Sequence, residues 1–505
     1  MATKSLSEKY GAELHGVLNC YDRIIIAGHV HPLCYAKGMT KYLYTHNIRI
    51  FDYKVFAQRL RDAIRAKAEA IAQENGLEIE FIRKSTSFRK EDRIREILQA
   101  RGNHPGLVHI FSAMERCTAY YPWHDKQTHE TYVKSRQGKC LHYYFYFIDE
   151  ELGLCYLRVP TWCPFRLQFY FNGHNWLAHQ LKQQGIAFEQ HDNAFLDIAD
   201  FDTANQLAAQ LNIEHLHAKL DRLAHQYCPI ATALGLEYSW SIVQAEYATD
   251  LVFKDQRTLQ TFYPHLLEAL IQAVKPADVA TFLGRKLHGN YQGEMGNRFN
   301  VRWLGRRLKH QMGPVSIKLY DKFNIVLRIE TTVNDVSFFQ QYRQVHHRDG
   351  TTTTQWAPMK KTIYSLPALK DALLAANQRY LHFISEVETP EVGVQRLHQL
   401  AETKTEDDRR YKGFNLLAEE DTSLLRLLTR GEFFISGFTN KSLRQHLSHK
   451  NSGQVSRLLK RLRVHGLIKK VSRRYKYYLT EFGRRVVLMA LKLREMVIIP
   501  GLAYG

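Results

Sequence analysis

Between Val315 and Asp335 the chain reads VSIKLYDKFNIVLRIETTVND, two short strand patterns around a bend. Successive strand side chains point to opposite faces, so Lys318, Tyr320 and Lys322 share one face, and Arg328 and Glu330 share a face of the next strand. Tyrosine, cations and a carboxylate on one surface suit phosphodiester chemistry. The phenol attacks phosphorus, lysine or arginine offsets the charge gathering on the phosphoryl oxygens, and the carboxylate holds a divalent metal. The same residues also make an ordinary sheet edge, a tyrosine beside cross-strand charge pairs with Arg328 and Glu330 as a simple salt bridge.

The motif IKLYDK followed by LRIE resembles rolling-circle replication initiators and related relaxases, especially the plasmid group with a degenerate His pair and the filamentous-phage type. In those families the nicking tyrosine stands in a Y-x-K strand and the next strand carries R-x-E. The resemblance therefore implies Tyr320 as nucleophile with Lys322 and Arg328 as its catalytic neighbours, and Mg²⁺ or Mn²⁺ as cofactor. It also implies carboxylates from an upstream strand. QAEYATDLVF offers Glu246 and Asp250, four apart, which with Glu330 make the expected metal set. FLGRKLHGN and NVRWLG stand where these families often have a short Gly-containing strand, and the resemblance runs from Tyr238 to about Gln344.

The formal net charge of +20 points to a polyanionic partner. Most of the excess is C-terminal: from Asp421 to Gly505 there are 18 Lys or Arg and 4 Asp or Glu, a net +14. That stretch reads helix, turn, helix, break, helix and basic hairpin, with Asn440 and Ser452 as expected caps and Leu443, Leu447, Val455, Leu458, Leu459 and Leu462 at helical spacing. Its order resembles winged helix-turn-helix domains of bacterial regulators and replication initiators. Lys441, Arg444, Gln454, Ser456, Arg457, Lys460 and Arg461 would then reach a major groove and its phosphates, and Arg473, Arg474, Tyr475 and Lys476 would belong to the wing. A domain of this kind also serves as a protein-interaction module.

The elements that must position these residues fall into four stretches. Residues 1–105 alternate short apolar runs with longer helical patterns, an α/β domain with a partly parallel sheet; its role is open. Residues 106–345 read as an α+β domain with an antiparallel sheet, 346–420 as a helical linker region with the charged TKTEDDRRYKG as solvated linker, and 421–505 as the winged helix. In LHYYFYFID, His142, Tyr144 and Tyr146 share one face and Tyr143, Phe145 and Phe147 the other, so either one set stacks on unpaired bases of single-stranded DNA or RNA while the other fills a core, or the stretch is a plain aromatic core. His29 and His31 in GHVHP would either bind a metal or serve a structural role. Seven cysteines without a C-x-x-C pair argue for reduced thiols, and no apolar run suggests a leader or membrane span, so the expected setting is cytoplasmic. The expected function is a DNA-binding protein of a plasmid, phage or other mobile element that binds double-stranded DNA and nicks one strand through a tyrosine. The alternative is a non-enzymatic, sequence-specific transcriptional regulator or structural DNA/RNA-binding protein.

Overall fold

The computed structural model describes residues 5–83, 88–287, 295–302, 305–387, 390–471 and 475–503. The chain forms two compact units, Met1–Glu388 and Thr389–Gly505. The first is mixed α/β, built on one large sheet with helices on its faces. No described helix is long and apolar enough to cross a membrane.

The sheet strands are β1 (Leu14–His29), β2 (Ile79–Ile82), β3 (Gly106–His124), β4 (Thr131–Asp149), β5 (Gly153–Pro160) and β6 (Leu167–Asn172). A small separate hairpin, β7 (Phe188–His191) and β8 (Ala194–Ile198), precedes β9 (Ser239–Phe253), β10 (Met295–Arg302), β11 (Gly305–Met312), β12 (Val315–Lys322) and β13 (Val326–Val333). The eleven-stranded order is β10-β11-β12-β13-β9-β1-β6-β5-β4-β3-β2. Neighbours are antiparallel throughout, except that β2 runs parallel to β3. Two four-strand meanders, β3 to β6 and β10 to β13, thus flank a central pair, β1 and β9.

That central pairing corrects the expected division near residue 105. β1 bonds both β6 and β9, so residues 14–29 complete the sheet in its middle instead of belonging to a separate domain. The stretch 346–420 is likewise not a linker. Leu366–Val387 is a core helix whose Leu369, Leu373, Tyr380 and Ile384 are fully buried at helical spacing.

Alternation decides what each face does. On β12, Val315, Ile317 and Leu319 are buried in the core, each contributing about 1.5–3 kcal/mol of transfer free energy, while Lys318, Tyr320 and Lys322 point the other way. Helix Leu366–Val387 seals the core face: Asn377 accepts from Thr331 Oγ1 at 2.6 Å and donates to the Tyr247 carbonyl at 3.0 Å. The opposite face is covered only in part. Over β3 and β4, helix Lys90–Arg101 buries Ile94 against Phe111, Tyr144 and Tyr146.

One irregularity in β1 matters for the site. Tyr21 pairs with Tyr247 and Ile24 with Ala245, so β1 spends three steps where β9 spends two. This bulge breaks the alternation and turns both Asp22 and Arg23 toward one cavity.

In the second unit, helices Glu419–Leu428, Asn440–His446, Ser452–Val464 and Glu481–Leu493 enclose Leu425, Leu443, Val455, Leu459, Leu462 and Val487, and a hairpin pairs Ile468–Val471 with Lys476–Leu479. The caps are Thr439 and Asn451, each one residue before the expected Asn440 and Ser452. The charged run folds into a hairpin, Lys404–Glu406 with Arg409–Tyr411.

Candidate active site

A cavity of about 370 Å³ opens on the uncovered face where β1, β6, β9, β12 and β13 meet the β7–β8 turn. Pairing register brings its side chains together. Lys318 stands opposite Glu330, and Tyr320 opposite Arg328. The Tyr320 hydroxyl donates to Glu330 Oε2 at 2.5 Å, while the Lys318 ammonium bonds Glu330 Oε1 and reaches Glu246 Oε1 at 3.4 Å. Thr332 Oγ1 lies 3.2 Å from Glu330 Oε1 and 3.3 Å from Glu246 Oε1. Asp22 Oδ1 accepts from Asn172 Nδ2 at 2.8 Å and from Asn193 Nδ2 at 2.6 Å, which aims its carboxylate at the same space.

Carboxylate oxygens of Asp22, Glu246 and Glu330 lie within 4.8 Å of one another. Lys318 is shared by Glu246 and Glu330, so this pair carries more negative charge than its one bonded cation offsets. Burial, and then the neighbouring Glu330 charge, push the Glu246 pKa up. An all-oxygen set of this charge could hold a hard divalent cation such as Mg²⁺ or Mn²⁺.

The expected metal set is corrected at one position. Glu246 and Asp250 share a face of β9, but four residues of strand separate them by about 13 Å, so both cannot enter one centre. Asp250 is instead the register partner of Arg328. Arg328 Nε donates to Asp250 Oδ1 at 2.7 Å and Nη2 to Asp250 Oδ2 at 2.6 Å, and Nη1 reaches Asp22 Oδ2 at 3.3 Å. His174 closes this network, its Nδ1 lying 3.4 Å from Asp22 and its Nε2 3.7 Å from Asp250.

Arg328 is therefore also corrected. It is fully buried beneath the cavity floor, where it cannot touch a bound phosphate. Its role is to hold Asp22 and Asp250: burial alone would raise both carboxyl pKa values, but Arg328 and His174 outweigh it and keep them below the usual range.

Tyr320 and Lys322 do line the cavity. Burial, and then the Glu330 charge, raise the Tyr320 phenol well above its ordinary pKa. Lys322 is pushed down to about 8 by burial and by Arg328. Asp22 was the residue that sequence reasoning missed. Its signal was a charged pair, Asp22-Arg23, interrupting the apolar strand LNCYDRIIIAG.

The other expected residues sort differently. Tyr144 and Tyr146 are buried beneath helix Lys90–Arg101, and Tyr143, Phe145 and Phe147 are buried in the core on the other face, so neither set can stack on bases. His29 bonds Ser241 Oγ at 2.7 Å and His31 packs on Tyr35, so the two form no metal pair. Of FLGRKLHGN and NVRWLG, residues 288–290 and 303–304 lie outside the described residues.

In the second unit, Lys441, Arg444 and Arg457 are exposed and no ion pair holds them among the described residues. Gln454 accepts from the Asn451 amide as part of a cap, and Ser456 accepts from Asn440 Nδ2 at 2.8 Å. Lys460 is paired with Glu406 and Asp407. Arg461 faces inward, a correction: it pairs with Asp421 at 2.8 Å and covers the Phe414 ring, a structural role that removes it from an exposed surface. Tyr475 is exposed under the Lys470 ammonium, Lys476 lies near the Tyr478 ring, and Arg473 and Arg474 lie outside the described residues. No family model, curated protein or solved structure matches the chain.

Proposed function

We propose that this protein binds double-stranded DNA through its C-terminal unit, read as a winged helix, and cleaves one strand by attack of Tyr320, as rolling-circle initiators do. One observation carries the reading: the Tyr320 hydroxyl is hydrogen-bonded to Glu330 inside a cavity where three carboxylates converge. The exposed Lys441, Arg444 and Arg457 and the net +14 of the last 85 residues support the duplex contact.

In the cleavage step the Tyr320 oxygen forms a bond to phosphorus as its proton passes to Glu330 Oε2. The phosphorus–O3′ bond breaks, leaving a 5′-phosphotyrosyl link. The departing 3′ oxygen takes a proton from Lys322, whose pKa near 8 suits a general acid at neutral pH. Lys318 keeps Glu330 and Glu246 in place. A divalent cation bound by Asp22, Glu246 and Glu330 would offset the charge on the phosphoryl oxygens.

The test is to incubate the full chain with supercoiled DNA carrying its own locus and Mn²⁺ or Mg²⁺, then run a denaturing gel. A covalent protein–DNA adduct that vanishes with Tyr320→Phe is expected. Tight, salt-sensitive binding with no nick in either protein would leave a non-enzymatic binder.

A further inference from the structure

A second cavity, of about 250 Å³, lies close to the first on the same face of the sheet. On β6, Tyr170 lines the acidic cavity and Gln168 the second, two residues or about 7 Å along the strand. Its wall has the opposite charge. Arg116, Arg158 and Arg166 line it together with His142 and Trp162, and no carboxylate does.

The three arginines are not equally engaged. Arg158 is fixed by Glu115, to which Nη2 donates at 2.7 Å and Nε at 3.1 Å, and its Nη1 lies 3.4 Å from Gln168 Oε1. Arg116 and Arg166 are exposed and make no ion pair among the described residues. Burial and then Arg158 press His142 down to about 4, and burial and then Arg166 do the same to His29.

We propose that this arginine-walled cavity is a binding site for a phosphate group, with Arg116 and Arg166 as its free cations, Arg158 as a fixed one and the His142 imidazole on its wall. Guanidinium groups match phosphate oxygens with two parallel hydrogen bonds each, so Arg116 and Arg166, with the charge of Arg158 beside them and no opposing wall carboxylate, suit the several oxygens of a tetrahedral phosphate group better than a lone carboxylate. The group would come from one of two sources, a backbone phosphate of a nucleic-acid strand or a free phosphate. The inference goes beyond the nicking reading and would hold were Tyr320 inert.

The experiment is calorimetric titration of the full chain with inorganic phosphate and, separately, with an eight-residue oligothymidylate. The proteins are the native chain, the double variant Arg116→Ala/Arg166→Ala, the charge-retaining Arg116→Lys/Arg166→Lys and, as control, Tyr320→Phe. Unchanged melting of the double variants establishes that they fold. Phosphate binding lost in the alanine pair and kept in part by the lysine pair is the expected result. If the oligonucleotide also binds at least tenfold more weakly to the alanine pair, the source is a strand; if only phosphate binding falls, the source is a free anion. Native protein that takes up neither titrant, or an alanine pair that binds both as the native chain does, overturns the proposal. Because Tyr320→Phe should bind phosphate normally, failure of the nicking reading and failure of this one are distinguishable.

Discussion

The two wings of the sheet carry the same pair of groups in opposite circumstances. In one, the Tyr144 hydroxyl donates to Glu115 at 2.5 Å; in the other, Tyr320 donates to Glu330 at 2.5 Å. Around Glu115 the charges lean positive, with Arg158 at 2.7 Å and Lys90 at 3.8 Å, and the Lys90 ammonium sits over the Tyr144 ring at 3.2 Å. Helix Lys90–Arg101 then covers the cluster. Around Glu330, Lys318 is shared with Glu246, the Asp22 carboxylate lies within 4.8 Å of both glutamates, and a cavity stands open above them. A tyrosine–glutamate pair is thus a structural strut where cations satisfy it under a covering helix, and a candidate centre where further carboxylates converge on it and a cavity makes it reachable.

The largest effect should come from the buried arginine under the open wing. Arg328→Leu strips the cation from Asp22 and Asp250, both nearly inaccessible, and should cost about 3–5 kcal/mol in denaturant unfolding. Replacing Asp250 by Leu as well should recover part of that loss. If Arg328→Leu alone melts like the native chain, the ion network does not hold this wing together.

Neutralising the two glutamates separates the wings more sharply. Glu115→Gln removes an acceptor of charged hydrogen bonds from Arg158 and should destabilise by about 2 kcal/mol. Glu330→Gln should cost less than Glu115→Gln in the metal-free protein, because the weakened Lys318 pair is offset in part by relief of the repulsion that lifts Glu246. Equal losses in both variants would erase the distinction.

The smallest expected effect is on pH dependence. Lys322 is protonated below its pKa of about 8 and serves as acid in that form, so strand cleavage should fall about tenfold per pH unit above 8. Lys322→Ala should be slower and lack that inflection. An inflection that survives the substitution would assign it to another group.

Alternation made the polar face of Lys318, Tyr320 and Lys322 readable from sequence, and Glu330 with it, because a period of two needs no knowledge of neighbouring strands. What strand lies alongside is a tertiary fact. Asp22, nearly 300 residues before Tyr320, enters the centre through the central β1–β9 pairing and a one-residue bulge, neither of which local pattern contains. The same limit put Glu246 and Asp250 into one metal set, since sharing a face does not fix distance along the strand. Arg461 looked exposed on its helix because its partner Asp421 lies forty residues earlier. The run IRIFD, strand-like by composition, folds as a 3-10 turn, Ile50–Asp52, that leads directly into helix Tyr53–Glu74 and buries Ile50.

The proposed cleavage requires Asp22, Glu246 and Glu330 to form one cation centre beside Tyr320, and the Glu115 wing to form none. Electron paramagnetic resonance titration of the full chain with Mn²⁺ tests it most directly. One bound ion per chain, lost in Glu330→Gln and in Asp22→Asn and retained in Glu115→Gln, is the expected result. A native chain that binds no Mn²⁺, or an ion that persists in both acidic-centre variants, would contradict it.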